Sequence, residues 1–427
     1  MENYFAIILG KLIIAFSKLT NLGSGSTWPG HIALKLNKNF VKDVLIKSQT
    51  KVMIVAGTNG KTTTGRLITS IVRENGKSYL QNKAGANLLN GLASTVVKGV
   101  GLDGKLKQDY LVFESDEYAL PVILKQIKPS YIVCLNLFRD QLDRYGEIDS
   151  IAKRWKKSFE TLTKDTKLIL NADDPEISYL GNKTKAKVLY FGLDETSELN
   201  SLKHGADSIH CPNCSHKLDY KTIYFSHLGD WKCPNCGLSR PKLNVSNIGF
   251  HPLVGTYNKY NTLSAYLFAK TEKIKDSTIN SAFKSFTPAF GRQESLVYKN
   301  KKIQLFLSKN PTSFNESLQT IKELGGKNLL ILLNDRIPDG LDVSWIWDIG
   351  FERILEKDVN LAVSGDRVYD MALRLKYADF FTHVDEDSGK LLDQMIENLD
   401  ENETLYILPN YSAMLDIRKT ITGKKLL

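Results

Sequence analysis

The sequence predicts an α/β protein made of two parallel-sheet units, the first interrupted by a small cysteine-rich insert. Three observations carry this reading. Short apolar runs alternate with amphipathic stretches from Lys51 onward, the rhythm of βαβ units. A glycine-bearing turn, Gly57–Thr63, joins the first run to a helical stretch. Two Cys-Pro-Asn-Cys pairs, Cys211/Cys214 and Cys233/Cys236, fall where the rhythm breaks. At 427 residues, 42% of them hydrophobic, the chain has material for two or three packed cores.

The first element is the apolar stretch Tyr4–Phe16. Lys11 interrupts it, and it falls short of the roughly 20 apolar residues that span a bilayer. No small-residue cleavage site follows, so it reads as an amphipathic helix rather than a signal peptide. Such a helix either caps the first domain or turns one face to a membrane. It opens an N-terminal helical segment, residues 1–45, that packs on the first domain.

The first unit, residues 46–295, carries candidate strands at Val52–Ala56, Tyr110–Glu114, Tyr131–Leu135, Lys167–Leu170 and Lys187–Phe191. Each ends in a polar or glycine-containing turn, where open α/β sheets place their ligands. A helix is expected over Gly65–Glu74 and another after Gly255, with the cysteine insert at about 202–242 between them. The second unit, residues 296–427, has candidate strands at Gln304–Leu307, Asn328–Leu333, Asn360–Ser364 and Thr404–Leu408. The domain boundary is expected near Gln293–Lys302, and there is no long repeat.

Lysine and arginine total 57 against 47 acids, a formal charge of +10. This excess suits nucleotides, pyrophosphates, nucleic acid or an anionic membrane face, and does not choose among them. The insert carries scattered charge without a basic, aromatic stripe, so nucleic acid is not an expected partner.

The turn after the first strand carries the chemistry. In Ala56-Gly57-Thr58-Asn59-Gly60-Lys61-Thr62-Thr63-Thr64, glycines free backbone N–H groups and the next helix opens, a combination that cradles phosphate oxygens. Lys61 supplies a charge for the β- and γ-phosphates, and Thr62 a hydroxyl for Mg²⁺. Gly57 lies only three residues before Gly60, so the spacing is more compact than the usual phosphate loop.

Four of the five cysteines sit on two knuckles, enough for a closed tetrahedral Zn²⁺ site with no open position, hence a structural one. An iron–sulfur cluster is the alternative. His210 and His216 flank the first knuckle as bystanders. The fifth cysteine, Cys134, lies within the apolar run Tyr131–Leu135 and is expected to be buried and inert. The chain therefore lacks the free nucleophilic thiol that a thiol-dependent glutaminase needs.

The compact Ala-Gly-Thr-Asn-Gly-Lys-Thr-Thr-Thr turn resembles that of the Mur ligase family, and further motifs follow in order. They are Phe113–Glu117, Asn136–Gly146, Asn171–Asp174, Gly255–Asn261 and Gly291-Arg292. The resemblance implies a Mur ligase central ATPase domain with a zinc-ribbon insertion and a Rossmann-like C-terminal domain. It implies ATP and Mg²⁺ as cofactors, Glu114 as a Mg²⁺ ligand and catalytic residue beside Lys61, Asn258 at the adenine and Arg292 at the phosphates. Arg144-Tyr145-Gly146 stands near where the family often carries a histidine, so one metal contact of the family is missing from its usual place.

The cysteine ribbon within such a scaffold is similar to one branch of the family, the MurT subunits of lipid II isoglutaminyl synthase. Leu307–Pro311, Asp339–Asp348, Ser364–Arg367 and Ile407–Tyr411 strengthen that likeness. Gly350 replaces an acid of the branch, and Ser308 and Lys309 precede Asn310-Pro311 where ordinary relatives have acid and histidine, which is consistent with a small nucleophile. The implied reaction is ATP-dependent amidation of the D-glutamate α-carboxylate in the lipid II stem peptide, by way of an acyl phosphate. The implied nitrogen source is ammonia from a GatD-like glutaminase subunit bound as a heterodimer. Work on lipid II places the chain in the cytoplasm, at or near the inner face of the bacterial membrane. Asp342 matches an acid of the branch that completes the partner's Cys-His pair; its other reading is a turn or cap. Trp345 and Trp347 beside it either anchor the partner or fill the core. Two alternatives differ in kind: a stand-alone ligase that adds an amino acid, active without a glutaminase, and a zinc-ribbon nucleotide-binding module whose ATPase answers to nucleic acid.

Overall fold

The computed structural model describes residues 2–20, 27–82, 85–138, 148–194 and 208–423. Two parallel-type sheets, each of six strands, organise the chain. Three helices come first: α1 (Glu2–Thr20), α2 (Trp28–Leu36) and α3 (Phe40–Lys47).

The first sheet holds β1 (Lys51–Ala56), β2 (Tyr79–Gln81), β3 (Tyr110–Ser115), β4 (Tyr131–Cys134), β5 (Lys167–Asn171) and β6 (Lys187–Phe191), in the order β2-β3-β1-β4-β5-β6. All its pairings are parallel. Helices cover both faces, which is why Val52–Ala56 and Tyr110–Ser115 are buried without alternation. One core face packs α1, α2, α3 and α5 (Leu89–Gly99) around Ile54, Leu92, Phe113 and Trp155. The opposite face packs α4 (Lys61–Glu74) and the helix Thr256–Thr271 around Met53, Leu67, Leu263 and Phe268. The order reverses at β1, with β3 on one side and β4 on the other, and this switch point is where open α/β sheets bind ligands.

The insert supplies a two-stranded antiparallel hairpin, β7 (Asp219–Phe225) and β8 (Leu228–Lys232). The second sheet holds β9 (Arg292–Tyr298), β10 (Lys301–Phe306), β11 (Asn328–Leu332), β12 (Asn360–Ser364), β13 (Thr382–Val384) and β14 (Thr404–Pro409), ordered β13-β12-β11-β14-β10-β9. Only its edge strand β9 is antiparallel, to β10. Helices again lie on both sides, around Phe314, Ile331 and Phe351 on one face and Ile303, Leu392 and Ile417 on the other.

Candidate functional site

Strand β1 delivers the phosphate turn to the switch point. Gly57 and Gly60 have φ of 135° and 90°, a region closed to residues with a Cβ. A Cβ on Gly60 would also stand 2.1 Å from Asn261 Oδ1, so glycine is required for space as well. Gly60 caps α4 with no side chain bonded to the helix end, which leaves the first-turn N–H groups facing the cleft as donors. The turn is pinned from below: Thr58 N donates to Asn136 O at 3.0 Å, and Asn59 N to Asn136 Oδ1 at 2.9 Å.

The sequence-selected residues Lys61, Thr62 and Glu114 come together here. Lys61 Nζ folds over the turn, donating to Gly57 O and to Thr58 O at 3.1 Å, and pairs with Glu117 Oε2 at 3.5 Å. Thr62 Oγ1 donates to Glu114 Oε2 at 2.6 Å, and Gln81 Nε2 to Glu114 Oε1 at 3.2 Å. Burial pushes the Glu114 carboxyl up, opposed by the Thr62 bond and by the charges of Lys61 and Arg292. A divalent cation and a triphosphate fit this chemistry. Glu114 and the Thr62 hydroxyl are hard oxygen donors side by side, Gly57 and Gly60 put no side chain of their own on the turn, and the buried Asn59 Nδ2 lacks a partner.

A cleft runs from the turn toward the second unit. Asn59, Gly60, Thr63 and Asn258 line it from the first unit, and Arg292 and Glu316 from the other side. Asn310, the cap of the helix Pro311–Glu323, reaches Asn59 across the gap with Nδ2 3.5 Å from Asn59 Oδ1. Asn258 is buried with its amide occupied: Nδ2 donates to Val254 O at 2.7 Å and Oδ1 accepts from Asn261 at 3.1 Å. Arg144, Tyr145 and Gly146 lie outside the described residues.

Several residues of the site were not singled out from the sequence: Tyr257, Gln293 and Glu316 line the cleft, as do Phe225 and Leu228 at the hairpin tip of the insert, and Gln81 holds Glu114. The hairpin docks on the turn after β5. Trp231 Nε1 donates to Ala172 O at 3.0 Å and Gly229 N to Asp173 O at 3.0 Å. Asp173, fully buried, faces Arg240 Nε at 2.7 Å, an ion pair angled away from a hydrogen bond. Its other oxygen accepts from Leu193 N and Tyr260 O–H, each at 2.8 Å. Burial pushes Asp173 up to about 7, with Arg240 opposing. Only three-dimensional packing brings the insert to the cleft, since some fifty residues separate Asp173 from Gly229 in the chain.

The four cysteines converge. Their Sγ atoms all lie within 4.8 Å of one another, and no histidine belongs to the cluster among the described residues. Each knuckle closes on a backbone bond, Ser215 N to Cys211 O at 2.8 Å and Gly237 N to Cys233 O at 3.1 Å. Trp231 and Leu218 pack beneath. A sulfur-only donor set this compact suits a tetrahedral, thiophilic ion. Cys134 is fully buried and its thiol is held well above its ordinary value by burial, so it is inert as a nucleophile.

Asp342 stands apart from this assembly. It is exposed in the second unit, and its carboxylate accepts from Ser344 N at 2.8 Å, a bond that braces the bend leading into the helical turn Ser344–Asp348 and holds its pKa down. Trp345 packs partly into the core, while Trp347 is half-exposed with its ring 5.4 Å from Tyr377.

Comparison with known proteins agrees with this architecture. The Mur ligase middle domain profile matches residues 55–269, and the MurT ligase C-terminal profile residues 307–414. The chain is 30% identical to the lipid II isoglutaminyl synthase (glutamine-hydrolyzing) subunit MurT of Staphylococcus aureus strain COL, covering 97% of this chain and 96% of that one. Identity to the subunit of the same name from Streptococcus pneumoniae strain R6 is also 30%, over 96% and 95%. Among solved structures, a pseudomurein peptide ligase type C from Methanothermus fervidus superposes with a TM-score of 0.65 at 22% identity, covering 88% of this chain and 79% of that one. MurF ligase from Thermotoga maritima, solved with ADP, gives 0.63 at 14% identity, over 90% and 82%. The phosphate turn at the switch point, the second α/β unit and the matches over nearly the whole length agree: the chain belongs to the Mur ligase family, in the branch of MurT subunits of lipid II isoglutaminyl synthase.

Proposed function

We propose that this chain is the ATP-dependent synthase subunit that amidates the D-glutamate α-carboxylate of the lipid II stem peptide. The observation that carries the reading is the juxtaposition of Lys61, Thr62 and Glu114 around an open glycine turn, in a chain alike along its length to relatives of that name. A carboxylate is a poor electrophile, so one of its oxygens first attacks the γ-phosphorus. The bond to the β–γ bridging oxygen breaks and ADP leaves with that electron pair. Ammonia then attacks the acyl carbon, the C–O bond to phosphate breaks, and the surplus proton on nitrogen passes to a base or to solvent. Lys61 and Arg292 neutralise charge on the phosphoryl group in transfer. Glu114 and the Thr62 hydroxyl would hold Mg²⁺, which when bound offsets the charge of the phosphate oxygens. Base recognition through Asn258 would replace one of its present amide bonds.

Ammonia comes from a glutaminase partner in this reading. Support comes from the burial of Cys134, the one cysteine outside the four-cysteine cluster, and from the apolar surface around Asp342. Along the helix Val368–Tyr377, Tyr369, Leu373 and Tyr377 are exposed at helical spacing, with Trp347 against Tyr377 and Ile337 and Leu341 exposed in the loop before Asp342. A zinc ion in the cysteine cluster would be structural. Among the described residues no helix is long and apolar enough to cross a membrane, and the lipid-linked acceptor would bring the enzyme to the cytoplasmic membrane face. The test is amidation of lipid II by the purified chain with its glutaminase, supplied with glutamine or ammonium. ATP turnover that ignores the acceptor, or survives Lys61→Ala, would overturn the assignment.

A further inference from the structure

Helix α1 is apolar on two opposite faces: one packs on the first domain and the other is exposed. Ala6 and Ile7 are buried, Ile14 packs on the same core, and Gly10 lies so close to α5 that a Cβ there would stand 2.6 Å from Val97 Cγ1. At about 100° per residue, Phe5, Leu12, Phe16 and Leu19 fall on a single stripe pointing away from that seam. Their exposures are 59%, 60%, 64% and 84%, and Tyr4 beside them is also exposed. Trp28, at the start of α2, is exposed as well.

We propose that this stripe docks α1, lying flat, on an anionic phospholipid bilayer. The occupant follows from charge. Residues 1–50 hold six lysines against two acids, Glu2 and Asp43, and no arginine. Lys35, Lys38, Lys42 and Lys47 are exposed, whereas Asp43 is tied to Asn3 and Asn37 at 3.0 and 2.9 Å. Large aromatic and aliphatic side chains exposed along one face, in a segment whose charge is mostly lysine, suit an in-plane interfacial helix. The helix layer is also fixed to the reaction site. Gly30 N of α2 donates to Ser94 Oγ of α5 at 2.8 Å, and the loop entering α5 is held by Asp116 N to Asn87 O at 3.0 Å, two residues beyond Glu114. Docking α1 therefore sets the direction in which the cleft faces. This contact goes beyond a lipid-linked substrate, because it is between protein and bilayer and persists without acceptor.

The experiment is co-sedimentation of the full chain with acceptor-free vesicles, either of phosphatidylcholine alone or of phosphatidylcholine mixed with phosphatidylglycerol. Binding is expected to the mixed vesicles, to weaken as salt rises, and to fall about tenfold or more in Leu12→Glu/Phe16→Glu. Both positions are exposed, so the variant should keep its melting temperature and its ATP affinity. Failure to bind the mixed vesicles, or equal binding by the variant, would overturn the proposal. So would a dimer in solution that the same variant abolishes, because the stripe would then be covered by a second copy. Loss of amidation with vesicle binding intact would instead count against the catalytic reading alone.

Discussion

Replacing Arg240 by methionine tests how the cysteine ribbon is held to the nucleotide site. The guanidinium lies 2.7 Å from the fully buried Asp173 and also donates to Leu193 O. Removing a partner from a buried charge costs about 3–5 kcal/mol when that charge stays ionised. Asp173 has an escape, however, because its carboxyl already titrates at about 7 with Arg240 beside it. Its folded value lies above the unfolded 3.8, so the stabilisation it lends is complete below 3.8 and is lost as pH rises through about 7. Without Arg240 the folded value climbs further. Near pH 6 the carboxyl is protonated in the variant, and the loss should shrink to about 1 kcal/mol for the missing hydrogen bond, plus whatever packing the methionine fails to restore. Above neutrality the penalty should grow by about 1.4 kcal/mol per pH unit, up to the limit set by an ionised orphan. Thermal unfolding of native and Arg240→Met protein across this range reads the difference directly. Adding Asp173→Asn should flatten the pH dependence. A loss that is the same at all pH values, or a slope that survives Asp173→Asn, would refute the reasoning.

Three further outcomes are expected. Thr62→Val keeps the side-chain volume but removes the hydroxyl bonded to Glu114, and should lower kcat about 10²–10³-fold and raise the Mg²⁺ requirement, as measured by metal titration of amidation. Asp342→Ala should abolish glutamine-driven amidation while ammonium-driven amidation persists; equal loss of both would assign Asp342 to the turn it braces. The purified chain should carry stoichiometric zinc by elemental analysis. Its removal by chelation, or by Cys233→Ser, should lower the melting temperature and weaken ATP binding in calorimetry, because Phe225 and Leu228 on the ribbon line the cleft.

The strands that the sequence announced best are those buried on both faces, because Val52–Ala56 and Asn328–Leu333 are near-continuous apolar runs bounded by turns. Short edge strands were not legible: β2 and β13 have three residues each, and Tyr79-Leu80-Gln81 carries no period that a loop could not. The phosphate turn was readable because its function constrains backbone conformation, and glycine at positive φ leaves a mark in the residue type itself. Gln81, Glu316 and the hairpin tip left no such mark. Each is an ordinary residue for its local element, and only the packing of distant segments brings it to the cleft or, for Gln81, to Glu114. Asp342 was selected through family likeness. Locally its carboxylate braces a turn by accepting from Ser344 N, a role that many aspartates fill.

Arg292 is the first residue of β9 in the second sheet, yet its charge is felt by Glu114 at the end of β3 in the first. In the proposed reaction, the cation that would balance a departing phosphoryl group thus stands on a different sheet from the loop that would grip it. Swinging the two lobes apart would withdraw that balance and open a path for product in one movement. If the proposed roles hold, such an arrangement would guard against idle consumption of fuel, since a gaping molecule would lack the counter-charge to spend its nucleotide.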